Sequence, residues 1–184
     1  MADEAKLVET ESGLEPASSG WFVVNVRDAA WWRHENFGAG CVFESRETQG
    51  AAFTEYGINV QVVWPGEPNC MYHQENQQED MLILAGECLL LVEGEERRLQ
   101  AWDFVHLPPD TRHVFVGAGV GPCAILMVGT RKGDKERLLY PVDDVALRHG
   151  AGVAEETSDP GVAYAPFPRS RRERLEDAGL PWQH

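Results

Sequence analysis

Short alternating segments between residues 57 and 130 are the feature that most limits the fold of this chain. Ile58, Val60 and Val62 alternate with polar residues, which is the two-residue period of a β-strand. Comparable segments follow at intervals of about ten residues, separated by glycine, proline and acidic turn residues. Strands of this length and spacing predict an all-β sandwich or barrel, and we call residues 57–130 the barrel segment.

Three further segments flank the barrel segment. Residues 1–20 are acidic and lack periodicity, so they predict a disordered arm. Residues 21–56 contain two more strand-like stretches, which we interpret as flanking strands. Residues 131–184 predict a C-terminal extension with short helices at 142–149 and 170–179. We expect this extension to pack on the barrel or on a partner subunit.

The charge of the chain excludes two classes of partner. The sequence has 16 basic and 30 acidic residues, a net charge of −14, so general electrostatics oppose binding to nucleic acid or to an anionic membrane. No apolar run is long enough to span a bilayer, and the first residues lack the apolar core of a signal peptide. The four cysteines form no CxxC pair, which favours reduced thiols in a cytoplasmic protein.

Four residues in the barrel segment have the chemistry of metal ligands. His73 and Glu75 are two residues apart in a predicted strand, so their side chains should share a face. Glu79 has the same parity as Met81, which places it on the inner face of the next strand, and His113 begins a later strand. Two imidazoles with one or two carboxylates suit a divalent ion such as Fe, Mn, Co, Ni or Zn.

Two stretches of the sequence resemble the two motifs of the cupin superfamily. Residues 66–86, GEPNCMYHQENQQEDMLILAG, resemble the first motif, and residues 102–113, WDFVHLPPDTRH, resemble the second. The matching positions are His73, Glu79, Gly86, Pro108 and His113. The resemblance covers roughly the barrel segment. It implies a double-stranded β-helix, the cupin jelly-roll barrel, that binds one divalent metal ion per chain.

The sequence departs from this pattern at positions that bear on the metal. Glu75 stands where the first motif has its second histidine, and Trp102 and Asp110 replace glycines of the second motif. If Glu75 binds, two carboxylates neutralise the ion, which favours Fe or Mn over the alternatives Zn, Ni and Co. If it does not, two histidines and Glu79 resemble the triad of Fe(II) oxygenases, and Glu75 is the natural general base.

Two classes of function remain open at this point. The first is a mononuclear-metal oxidoreductase of the dioxygenase type, or an isomerase, acting on a small-molecule substrate. The second is a non-catalytic module that binds a small ligand or a metal, including a metal-free polar pocket. Leu82, Leu84 and Leu90 are predicted to project from the outer face of the barrel. Such an apolar face needs a cover, either the flanking strands 22–44 or a second subunit, and the resemblance to cupins indicates a homodimer.

Overall fold

The computed structural model describes residues 3–44, 53–131, 137–175 and 180. Within these residues the chain forms fourteen strands and two short helices. The strands are β1 (Leu7–Thr10), β2 (Gly13–Pro16), β3 (Trp31–Arg33), β4 (Ala39–Phe43), β5 (Tyr56–Val63), β6 (Gln74–Glu75), β7 (Glu79–Ala85), β8 (Glu87–Val92), β9 (Glu95–Gln100), β10 (Phe104–Leu107), β11 (His113–Ala118), β12 (Cys123–Thr130), β13 (Leu138–Leu139) and β14 (Arg171–Glu173). The helices are α1 (Asp144–Arg148) and α2 (Pro160–Ala163).

Two antiparallel sheets enclose the main core. The larger sheet has seven strands in the order β10–β7–β12–β5–β4–β3–β14, and the smaller has the order β11–β8–β9. Ile83 and Ile125 of the larger sheet pack in one core with Leu90 and Phe115 of the smaller sheet, and all four are buried. Alternating apolar residues on strands of both sheets therefore form one interior, which confirms the predicted all-β, double-stranded β-helix.

The outer face of the barrel differs from the prediction at one position. Leu90 lies in the core beside Cys88 rather than on the outer face, so assigning it there with Leu82 and Leu84 was wrong. Residues 88, 90 and 92 of β8 share the inner face, because side chains alternate along a strand. A continuous apolar run such as β8 has no alternation in its sequence from which to identify that face.

The predicted disordered arm is instead a β-hairpin. Strands β1 and β2 pair in antiparallel register from Leu7 opposite Pro16 to Thr10 opposite Gly13. Ion pairs join the hairpin to the C-terminal extension, with Glu15 3.0 Å from Arg172 and Glu9 in contact with Arg174. The acidic residues of this segment thus face basic residues far along the chain, a pairing that local periodicity does not show.

The C-terminal extension confirms one predicted helix. Helix α1 falls inside the predicted stretch 142–149, and its N-cap Asp143 accepts a hydrogen bond from the Ala146 amide. The helix predicted at 170–179 is wrong at its start, where β14 pairs with β3, and residues 176–179 lie outside the described residues. At residues 171–173, pairing with β3 outweighs the local capping signal that predicted a helix.

Trp102 and Asp110, which stand at glycine positions of the second motif, have backbone conformations that favour glycine. Their φ angles are 76° and 66°, in the left-handed region that favours glycine. Trp102 is also 77% exposed, so its side chain is not held in this conformation by burial. Both residues therefore adopt the left-handed conformation at a conformational cost.

Two further observations concern sequence expectations about the whole chain. All four cysteines are unpaired, as predicted, and Cys41, Cys88 and Cys123 are buried. In the described part of the chain, neither helix has the length or apolar character needed to cross a membrane.

Candidate metal centre

The backbone brings His73 and His113 side by side. Each backbone amide donates to the carbonyl of the other residue, at 3.1 Å from His73 and 2.8 Å from His113. This isolated antiparallel bridge sets the two imidazole rings 4.8 Å apart between centroids. Residues 40 positions apart in the sequence therefore present their side chains at one point.

Backbone carbonyls fix the orientation of both rings. The Nδ1 atom of His73 lies 2.9 Å from the Met71 carbonyl oxygen, and that of His113 lies 3.0 Å from the Thr111 carbonyl oxygen. A carbonyl oxygen only accepts, so in each neutral ring the proton is on Nδ1. Each Nε2 atom therefore carries a lone pair, which is the arrangement that protein metal sites use to orient histidine ligands.

Glu79 completes a three-residue cluster with the two histidines. It begins β7, and its inner-face neighbours Met81 and Ile83 are buried in the core, which agrees with the predicted parity. Its Oε2 atom lies 3.3 Å from Nε2 of His113. One donor atom from each of His73, Glu79 and His113 lies within 4.8 Å of the other two. These three predicted ligands are thus brought together.

Burial governs the protonation of His113. Only 3% of the residue is exposed. Burial lowers the pKa of its imidazole, while the hydrogen bond to the Thr111 carbonyl and the charge of Glu93 act in the opposite direction. The neutral ring is therefore favoured, and a neutral ring is the form that binds a metal.

Glu75 is buried nearby, but it is not a member of the three-residue cluster. Residues 69–73 do not form a regular strand; β6 contains only Gln74 and Glu75, and Glu75 pairs with Leu138 of β13. His73, which forms the bridge to His113, directly precedes β6, so the placement of Glu75 on the same face as His73 stays a prediction. Glu75 and Glu79 are both close enough to Cys70 that their charges add to burial in raising the pKa of that thiol.

Two tyrosines from the C-terminal extension adjoin the cluster. The ring of Tyr140 lies 6.2 Å from that of His73 and 6.0 Å from that of Tyr164. The Tyr164 hydroxyl accepts a hydrogen bond from the Met71 amide at 3.0 Å, and burial raises its pKa. Sequence reasoning missed both tyrosines, because they follow the second motif by more than 25 residues and lie in no motif.

A cavity of about 490 Å³ lies near Tyr164, and none of His73, Glu79 and His113 is among its lining residues. Its lining includes Trp32, Phe37, Asn59, Gln61, Arg131 and Tyr164. Gly57 of β5 lies opposite Gly129 of β12, which in turn lies opposite Glu79, so all three positions share one face of the sheet. The guanidinium of Arg131 lies over both glycines, where added Cβ atoms would approach it to 2.8 and 2.9 Å. The cavity wall at Arg131 therefore lies on the same face as Glu79.

Comparison with known proteins identifies the barrel. Residues 59–129 match the family model described as the cupin domain. No curated protein matches the chain. An uncharacterised conserved protein with a double-stranded β-helix domain from Klebsiella pneumoniae is similar in structure, with a TM-score of 0.51 and 17% identity over 63% of this chain and 95% of that one.

Other solved structures resemble the same region. The polyketide cyclase RemF of Streptomyces resistomycificus has a TM-score of 0.51 and 14% identity over 62% of this chain and 82% of its own. A structure from Acidithiobacillus ferrooxidans has a TM-score of 0.43 and 23% identity over 46% of this chain. The match spans only 55% of the length of that protein. At these identities the two structures with a TM-score of 0.51 establish the fold alone.

Proposed function

With residues 59–129 as its cupin domain, this chain is a member of the cupin superfamily, and we propose that it is a metal-dependent enzyme acting on a small molecule. His73, Glu79 and His113 would hold one divalent ion per chain. When bound, Fe or Mn at such a site supplies a Lewis acid for substrate oxygen atoms or a centre for oxygen chemistry. The reaction type is an oxidation of the dioxygenase kind or an isomerisation.

One observation carries this proposal. In neutral His113 the Nε2 lone pair faces the Glu79 carboxylate at 3.3 Å, because Nδ1 carries the proton. Two acceptors at this distance repel each other unless a cation lies between them. A proton on His113 Nε2 is disfavoured because burial lowers the pKa of this imidazole. The donor set therefore fits a metal ion, with His73 as the third ligand.

The chain's own groups supply the remaining functions in this proposal. Tyr140 and Tyr164 cover the side of the site formed by His73, and the cavity on the same sheet face as Glu79 receives the substrate. Glu75, which is 7% exposed, acts as the general base that takes a proton from the substrate. The charges of Glu75 and Glu79 both raise the pKa of Cys70, so both carboxylates lie near that thiol. This nearness of Glu75 to a proposed metal ligand supports its role as a base.

Metal loading followed by turnover tests the proposal. The purified chain is analysed for metal, then incubated anaerobically with Fe(II) or Mn(II) and desalted. We expect one ion per chain, and then oxygen uptake or a spectral change with diols, thiols or keto acids as substrates. A chain that stays metal-free after both incubations contradicts the metal mechanism. A loaded chain that binds these compounds without converting them supports the non-catalytic alternative instead.

A further inference from the structure

Asn59, one of the residues that line the cavity, has a buried polar atom without a partner. Asn59 and Gln61 face the barrel interior, since they lie opposite the core residues Met127 and Ile125 of β12. Within the described part of the chain, the Oδ1 atom of Asn59 is buried and has no hydrogen-bond partner. A buried acceptor of this kind destabilises the protein unless a donor reaches it, so the cavity presents a position for an O–H or N–H group.

The side-chain amide of Gln61 occupies space that glycine at position 40 leaves open. An added Cβ at Gly40 would lie 2.7 Å from Nε2 of Gln61, so glycine at that position leaves space for the glutamine side chain. Asn59 and Gln61 are two residues apart on one strand face, which separates them by about 7 Å along β5. The cavity therefore offers two amides in line, each able to donate and to accept hydrogen bonds.

The charged residues of the lining neutralise one another. Arg131 donates to the Glu44 carboxylate from Nη2 at 3.0 Å and from Nε at 3.3 Å, and to the Thr130 carbonyl from Nη1 at 3.0 Å. Burial lowers the pKa of His34, which also lines the cavity, so its neutral form is favoured near neutral pH. The lining thus presents hydrogen-bonding groups with a balanced charge.

We propose that Asn59 and Gln61 bind an uncharged small molecule that carries O–H or N–H groups. Trp32 and Phe37 on the same cavity wall provide apolar contact for its carbon atoms. The volume of about 490 Å³ is in the ordinary range for small-molecule sites. As a statement about the substrate class, this inference rests on the proposed function. As a statement about a ligand site, it stands on the cavity alone.

Two matched pairs of probes test the chemistry of the ligand. Xylitol is compared with xylonate, and malonamide with malonate, by calorimetry or ligand-observed NMR. The chain is treated with a chelator first, so that a carboxylate cannot bind through a metal ion. We expect xylitol or malonamide to bind about tenfold more tightly than its carboxylate partner. The two neutral probes distinguish a hydroxyl ligand from an amide ligand.

Substitutions at Asn59 test the binding atoms. Asn59→Leu removes the acceptor, and we expect it to weaken binding of the neutral probe about tenfold. Asn59→Asp keeps an acceptor oxygen and is expected to retain binding within about threefold. Gln61→Leu is the second variant if Asn59→Leu does not fold. Gln100→Leu, which changes an exposed amide on β9, is the matched control.

The outcomes separate this inference from the proposed function. Failure of both neutral probes to bind, tighter binding of the carboxylates, or wild-type binding by a folded Asn59→Leu chain overturns the inference. None of these results bears on metal loading by His73, Glu79 and His113. If the chain never takes up metal but binds a neutral probe through Asn59, the ligand site stands and the metal enzyme does not.

Discussion

Two neighbouring carboxylates of β7 each pair with a histidine from another strand, one on each face of the sheet. On the inner face, Glu79 lies 3.3 Å from His113, with side chains 18% and 4% exposed. On the outer face, the next residue, Asp80, lies 2.6 Å from His106, with side chains 29% and 52% exposed. The two pairs have similar chemistry and adjacent carboxylates, so the difference between them comes from the side of the sheet on which each lies.

The hydrogen bonds of the two imidazoles explain the difference. His106 uses Nδ1 to bind Asp80, and Gln78 donates a second hydrogen bond to the same carboxylate at 2.6 Å. His113 uses Nδ1 to bind a backbone carbonyl, which directs the Nε2 lone pair at Glu79. The outer pair is satisfied by its own hydrogen bonds and solvent. The inner pair presents two acceptor atoms that fit a cation, as the proposed function requires.

The largest expected effect comes from removing one histidine from each face. His113→Ala should lose nearly all bound Fe(II) or Mn(II), since it removes a proposed ligand, and His106→Ala should bind metal like the wild type. Metal content after reconstitution and desalting measures this, with thermal unfolding as the check on folding. Equal metal content in the two variants means that His113 is not a ligand and that the comparison fails.

Much of this inner site follows from the sequence, for a specific reason. Glu79 begins a regular strand whose alternation with Met81 and Ile83 identifies the inner face, and both of these residues are buried as predicted. His113 likewise begins the regular strand β11. Where a segment is a regular strand with alternating residues, local sequence is enough to determine which side chains share a face.

The remainder of the site depends on contacts between distant parts of the chain. Glu75 pairs with Leu138, Arg131 with Glu44, and the Tyr164 hydroxyl with the Met71 amide, over separations of 63, 87 and 93 residues. No local period specifies such contacts. The cavity is likewise assembled from several strands and the extension, so its lining becomes apparent only in the fold.

Substitution of Glu75 tests whether a second carboxylate belongs with the inner pair. Glu75→Gln keeps the size of the side chain and removes its charge. We expect metal content to stay at the wild-type level and turnover to fall about 100-fold, the effect of losing a general base. Loss of bound metal would instead make Glu75 a ligand. Glu95→Gln, on the exposed strand β9, is the matched control and should change neither quantity.

The smallest expected effect concerns the outer pair. A double-mutant cycle of Asp80→Asn and His106→Gln should give a coupling energy of about 0.5 kcal/mol in unfolding free energy, because exposed ion pairs contribute little. The hydrogen bond from His106 is the main cause that lowers the pKa of Asp80 below its ordinary value of 3.8. The contribution of Asp80 is therefore present above about pH 3.8 and is lost as the pH falls through the lowered value.

The same cycle can also contradict the distinction between the two faces. Urea unfolding at pH 6 and at pH 3, on the chelated chain, measures the coupling energy without any contribution from metal. We expect the coupling to be smaller at pH 3, because protonation of Asp80 weakens its pairing with His106. A coupling above about 2 kcal/mol would put the outer pair in the range of buried pairs. Exposure would then not be the property that distinguishes it from Glu79 and His113.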